Sequence, residues 1–155
     1  MDNKDLRPTL GDFSSIVCFK AVMHGIEDTL GAQAAGVCLK AAGRKRGKDL
    51  TESLGITSAM GLEEARDALR KALGGEGTRL CWIDAIEQDG EDFIVKLSET
   101  IGSAGEEPGS SYRLSFTLGA VHGALEVVTG QKYRGKQIAS VLAGDSHDVI
   151  KFVPR

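Results

Sequence analysis

Apolar residues recur along residues 13–54 with the period of a helix. Phe19, Met23, Ile26 and Leu30 are separated by four, three and four positions, which stacks them on one helical face. Glu27 and Asp28 fall off that stripe, as a solvated face requires. Ser14 or Ser15 suits the N-cap, and Gly31 is placed to end the helix or let it bend. Residues 32–42 are alanine-rich around Val37, Cys38 and Leu39, and side chains this small permit close helix–helix approach. Gly43 and Gly47 are expected to punctuate a basic turn. A further helix is predicted over residues 62–73, where Leu62, Ala65, Leu69 and Leu73 share one side; Gly74-Gly75 stops it.

The pattern then changes to strands. Residues 79–87 and 93–99 flank Gln88-Asp89-Gly90-Glu91, and Asp-Gly is a strong hairpin signal. In the first arm the alternation is imperfect, so the turn carries the assignment. Residues 101–111, with Gly102, Gly105, Pro108 and Gly109, read as a surface loop or a mobile flap. Residues 112–129 carry two apolar stripes. Leu114, Leu118, Val121, Leu125 and Val128 form one; Phe116, Ala120, Ala124 and Val127 form the other. Apolar groups thus cover over half the circumference, so this helix belongs at the centre of the fold. Its remaining stripe is Ser115, Gly119, His122, Glu126 and Thr129. A second hairpin is expected from residues 131–142 and 147–153. The class is α+β: N-terminal helices and a central buried helix on an antiparallel sheet of two hairpins. A short tail, residues 1–12, precedes a single domain over residues 13–155.

The composition narrows the function. A hydrophobic fraction of 41% supports a core. A net charge of −3 and eight aromatic residues (five Phe, two Tyr, one Trp) speak against nucleic acid as a partner. The polar N-terminus leads into no secretory h-region, and no apolar run reaches membrane-spanning length, so a cytoplasmic protein is expected. Cys18, Cys38 and Cys81 include no CxxC pair. Cys18 and Cys38 are expected to face the core. No His or acid spacing specifies a metal centre or a catalytic apparatus, which favours a binding protein over an enzyme. The run Lys40, Arg44, Lys45, Arg46, Lys48 offers a contact for an anion, an acidic protein or a membrane surface, with Arg44, Lys45 and Arg46 as its centre; the alternative is a solvated turn.

The segment 119–130, Gly-Ala-Val-His-Gly-Ala-Leu-Glu-Val-Val-Thr-Gly, leading into a terminal hairpin, resembles the end of the 4-vinyl-reductase domain family. Leu30-Gly31, Ala41-Ala42-Gly43-Arg44 and Gly47 are similar to that family's front half. The resemblance spans most of the chain and implies a fold shared with transport-particle subunits of Golgi trafficking and haem-based nitric-oxide sensor domains. It implies a homodimer holding an apolar or tetrapyrrole-like ligand, as a sensor, carrier or accessory factor in pigment or photosystem biogenesis. A ligand-free dimeric scaffold is the alternative, and a pigment-pathway reductase component a weaker one. Phe19, Met23, Trp82, Phe116 and Ala120 are the expected apolar lining, with Tyr112 and His122 as polar contacts. Many members end in C-x3-G-D-x2-C-x-F with cysteines resembling metal ligands. Here those two positions hold Ser140 and Asp148, so a thiolate metal site does not carry over.

Overall fold

The computed structural model describes residues 15–155. The expected N-terminal tail, Phe13 and the alternative cap Ser14 lie outside the described residues. Helix α1 (Ile16–Leu30) starts at Ser15 and ends at Gly31, whose φ of 77° turns the chain directly into α2 (Ala32–Ser53). Helix α3 (Leu62–Leu73) has the predicted limits. It is followed by β1 (Trp82–Asp89), β2 (Asp92–Ser98), α4 (Ser115–Thr129), β3 (Tyr133–Ala139) and β4 (Asp148–Pro154). No described helix is long and apolar enough to cross a membrane.

The four strands form one antiparallel sheet in the order β1-β2-β4-β3, so the second strand of each hairpin lies at the centre. Phe93, Val95 and Leu97 of β2 face the core opposite Phe152, Ile150 and Asp148 of β4. The first hairpin turns at Gly90, where a φ of 62° is open to glycine at no steric cost. The weak alternation in its first arm has a structural cause. Pairing slips between Ile83 and Ala85, and this bulge resets the phase so that Ile83 and Ile86, three positions apart, are both buried.

Helix α4 is central, as its double stripe predicts: twelve of its fifteen residues are buried, His122 and Glu126 among them. The expected basic turn at Gly43 and Gly47 does not exist. Helix α2 runs through both glycines, which are buried against α4. Glycine costs a helix interior only about 1 kcal/mol relative to alanine. A tertiary contact that requires a missing side chain readily outweighs that.

Candidate functional site

The contact between α2 and α4 is made by backbone. A Cβ at Gly43 would lie 2.1 Å from the Phe116 carbonyl oxygen, and one at Gly47 would lie 1.9 Å from that of Ala120. The relation is reciprocal: Gly119 and Gly123 would meet the carbonyl oxygens of Lys40 and Arg44 at 2.3 and 2.1 Å. The two helices therefore touch along a seam with no room for a ligand.

At the C-terminal end of this seam lies a polar node. The Glu126 carboxylate, 4% exposed, accepts hydrogen bonds from Arg44 Nε at 3.0 Å and Nη2 at 2.7 and 2.8 Å, and an ion pair from Lys48 Nζ at 3.0 Å. Burial pushes its carboxyl up, but the bonds from Arg44 and Lys48, with the nearby His122, outweigh burial and hold it below its usual 4.5. His122 presents Nε2 to the Tyr133 carbonyl oxygen at 3.0 Å and to Glu126 Oε1 at 3.3 Å. Both are acceptors, which assigns the ring proton to Nε2. Burial lowers the His122 pKa from 6.5, and the cations Arg44 and Arg155 add to that against the opposing pull of Glu126 and the carbonyl. His122 is thus a neutral strut between α4 and β3. Its partner Glu126 is itself held by Arg44 and Lys48 of the basic run.

That run separates by helical phase. Lys40, Arg44 and Lys48, four apart, follow the α4 side of α2, whereas Lys45 pairs with Asp49 in solvent at 2.6 Å and Arg46 is exposed. The three residues expected to meet an anion together are therefore divided. Arg44 is engaged within the fold, and Lys45 and Arg46 look outward.

The expected ligand-contacting residues fall in four places. Phe19 and Phe116 meet edge to face with centroids 4.7 Å apart, near buried Met23; Tyr112 stacks beside His24 at 4.8 Å. The Tyr112 hydroxyl is buried without a partner, and burial pushes its pKa up to about 12. Trp82 lies elsewhere, against Gly74 and Gly75, with the Arg70 guanidinium over its ring at 5.2 Å. Ala120 is consumed by the helix seam, and His122 belongs to the polar node.

None of these seven lines the apolar void beneath α3, although Trp82 and His122 each border an open depression elsewhere. Between α3, β1 and α4, a small space is enclosed by Leu62, Ala65 and Leu69, by Ile83 and Ile86, and by Val121, Ala124, Leu125 and Val128. Its lining is wholly apolar and its volume is about 10 Å³, close to the minimum for one water molecule. Sequence reasoning had its components, namely the apolar side of α3 and, on α4, Val121, Leu125 and Val128 of the first stripe with Ala124 of the second. It lacked the β1 bulge that brings Ile83 and Ile86 onto one face. The small side chains Ala65 and Ala124, opposed across the gap, were the available signal.

The cysteines are distributed differently from expectation. Cys18 and Cys38 are exposed, because the inward residues of their helices are Met23 on α1 and Ala35, Leu39 and Gly43 on α2, and neither cysteine is in phase with them. Cys81 is buried, and desolvation together with Asp84 and Asp148 pushes its thiol up to about 12, which makes it a poor nucleophile.

The loop over residues 101–111 is anchored at its start and at its middle. Lys20 and His24 of α1 pair with Glu106, each at 2.9 Å, and Thr100 and Ser103 donate to buried Asp148 at 2.6 and 2.8 Å. Asp148 also accepts from the Val141 amide at 3.2 Å, and Ser140 caps the following turn by accepting from the Leu142 amide at 3.2 Å. Where cysteines stand in the resembling family, this chain closes the corner with hydrogen bonds.

No family model and no curated protein matches this chain. Solved structures do share its shape. The crystal structure of the phenol-responsive sensory domain of the transcription activator PoxR with phenol is similar at a TM-score of 0.67 and 14% identity, over 92% of this chain and 76% of that one. A trafficking protein particle complex subunit 3 from Naegleria fowleri, covalently bound to palmitic acid, is similar at a TM-score of 0.54 and 14% identity, over 91% and 97% of the two chains. At such identity the common property is the fold.

Proposed function

We propose that this chain is a non-enzymatic small-molecule-binding domain of the 4-vinyl-reductase kind, which takes an apolar ligand the size of one aromatic ring between α3 and α4. The wholly apolar void at that place carries the reading. A partly enclosed space lined by aliphatic side chains on three elements suits the hydrocarbon part of a ligand, and a ligand hydroxyl or N–H would have to reach its open side. Likeness in fold to a sensory domain that holds phenol supports the same class.

In its present form the void admits no organic molecule, so binding requires outward displacement of α3. The ends of that helix are suited to this. Gly61 and Gly74 flank it, and Arg70 fastens it to β1 through the Ile83 carbonyl oxygen at 2.5 Å and Asp84 at 3.3 Å. A tetrapyrrole would demand far more opening than a single ring.

A second reading, the ligand-free dimeric scaffold, has its own observation. Val17, Val22, Leu30 and Val37 are 53–73% exposed on α1 and α2, an apolar surface suited to a second copy of the chain. One experiment separates the two readings. Thermal unfolding is followed with saturating phenol or indole, in the wild type and in Ala124→Leu, which fills the void. Under the ligand reading, phenol at about 100 Kd stabilises by about 2.7 kcal/mol, a rise in Tm of about 5–10 °C, and A124L abolishes it. No rise with either compound, together with a dimer mass by light scattering, would favour the scaffold.

A further inference from the structure

We propose that a groove between α2, the start of α4 and the free edge of β3, which shares no lining residue with the apolar void, binds a phosphate-bearing anion. Two depressions make up this groove. One, of about 390 Å³, is bordered by Gly36, Val37, Lys40, Arg113 and Lys136; the other, of about 250 Å³, is bordered by Lys40, Arg44, His122, Arg134 and Arg155. Both include Lys40, Leu118 and Gly135, so they are continuous.

The charge of the groove runs against that of the chain. Acidic residues outnumber basic ones by 22 to 19 overall, yet six cations border the two depressions and no Asp or Glu side chain does among the described residues. The carboxylate beneath them, Glu126, is already neutralised by Arg44 and Lys48. No ion pair is made by Lys40, Arg113, Arg134, Lys136 or Arg155 among the described residues. Cations held this close repel one another, and a multivalent anion relieves that repulsion. Three of the five are arginines, whose planar donors match phosphate oxygens two at a time.

The groove is also constructed from distant parts of the chain, which separates it from a solvated basic run. Lys40 comes from α2, Arg113 from the approach to α4, and Arg134 and Lys136 from an edge strand that alternates with inward Gly135. A Cβ at Gly135 would meet the Phe152 ring at 2.6 Å, so this position stays open and β3 lies close against the core. Long side chains at the free sheet edge then reach over the groove, with His122 at its floor. This inference does not depend on the apolar void.

The test is isothermal titration of the full chain with inorganic pyrophosphate at low ionic strength. Two double variants remove the same charge from different faces: Lys40→Gln/Arg134→Gln from the groove, and Lys45→Gln/Arg46→Gln from the outer side of α2. Wild type is expected to bind saturably and more weakly as salt rises. The groove variant should lose at least about tenfold in affinity and the outer variant less than about threefold. All four substituted side chains leave the core untouched, so thermal unfolding should be unchanged and serves as the folding control. Vesicles of phosphatidylcholine with phosphatidic acid form the second arm. Binding to vesicles but not to pyrophosphate, lost in the groove variant, assigns the phosphate to a lipid headgroup. Absence of binding in both arms, or equal loss in the two variants, overturns the proposal.

Discussion

The two sides of α4 solve opposite packing problems. Toward α2, glycines on both helices bring backbone against backbone, and every added atom collides with a carbonyl group. Toward α3, branched aliphatic side chains meet two alanines across a gap they do not quite fill. The first contact is rigid because its partners are peptide groups within helices, which cannot rotate away. The second is compliant, because it consists of side chains with rotamer freedom on a twelve-residue helix bounded by glycines. On the proposed ligand-binding reading, the first contact would serve as a fixed axis and the second as a movable wall.

The sharpest way to break this contrast is Gly47→Ala. Its methyl group would stand 1.9 Å from the Ala120 carbonyl oxygen, so the helices must separate, at a cost of about 3 kcal/mol or more in denaturant unfolding. A loss below about 1 kcal/mol would show that the seam yields and that the rigid half of the contrast is mistaken. Leu69→Ala probes the other side. It should cost about 2–4 kcal/mol and enlarge the void, so that phenol binds more tightly than to wild type. Unchanged or weaker phenol binding would mean that the space under α3 collapses and offers no site.

The smallest expected effect concerns the polar node that ties the rigid side to β3. Glu126→Gln removes the carboxylate facing Arg44 and Lys48. Both cations are about one-third exposed or more, so water compensates in part and the loss should be about 2 kcal/mol near neutral pH. The wild-type pH dependence sharpens the assignment. The folded pKa of Glu126 lies below the 4.5 of the unfolded chain, so its stabilisation is complete above 4.5 and is lost as pH falls through the lowered folded value. His122, also lowered, contributes in the same sense from 6.5 downward, because the unfolded chain takes up the proton first. Unfolding of E126Q should therefore be flatter than wild type below pH 4.5. An identical slope in the two proteins would place the acid sensitivity elsewhere.

Local pattern was sufficient where one element's own chemistry decides its state. Helix α3 reads directly from Leu62, Ala65, Leu69 and Leu73, and the first hairpin from Asp89-Gly90, because amphipathic period and turn conformation are properties of a few neighbouring residues. The double stripe on residues 112–129 likewise announces a helix buried on most sides. Gly43 and Gly47 were misleading for a definite reason. A glycine that breaks a helix and one that admits another helix are the same residue in sequence, and only the carbonyl groups of Phe116 and Ala120 distinguish them. Cys18 and Cys38 depended likewise on which face the neighbouring helices cover.

The candidate sites were less legible because they are made between elements. Glu126 and Arg44 are 82 residues apart, and their bond exists because two helices meet at a particular rotation. The apolar void depends on a one-residue bulge in β1, and the cationic groove on β3 lying at a sheet edge beside α2. From the order of its residues alone, this chain has α3, its first hairpin and the identity of its central helix, all set by interactions within short stretches. Which glycines touch, which cations share a groove and where space is left follow from long-range packing, because distances of a few ångströms between remote segments are properties of the folded whole.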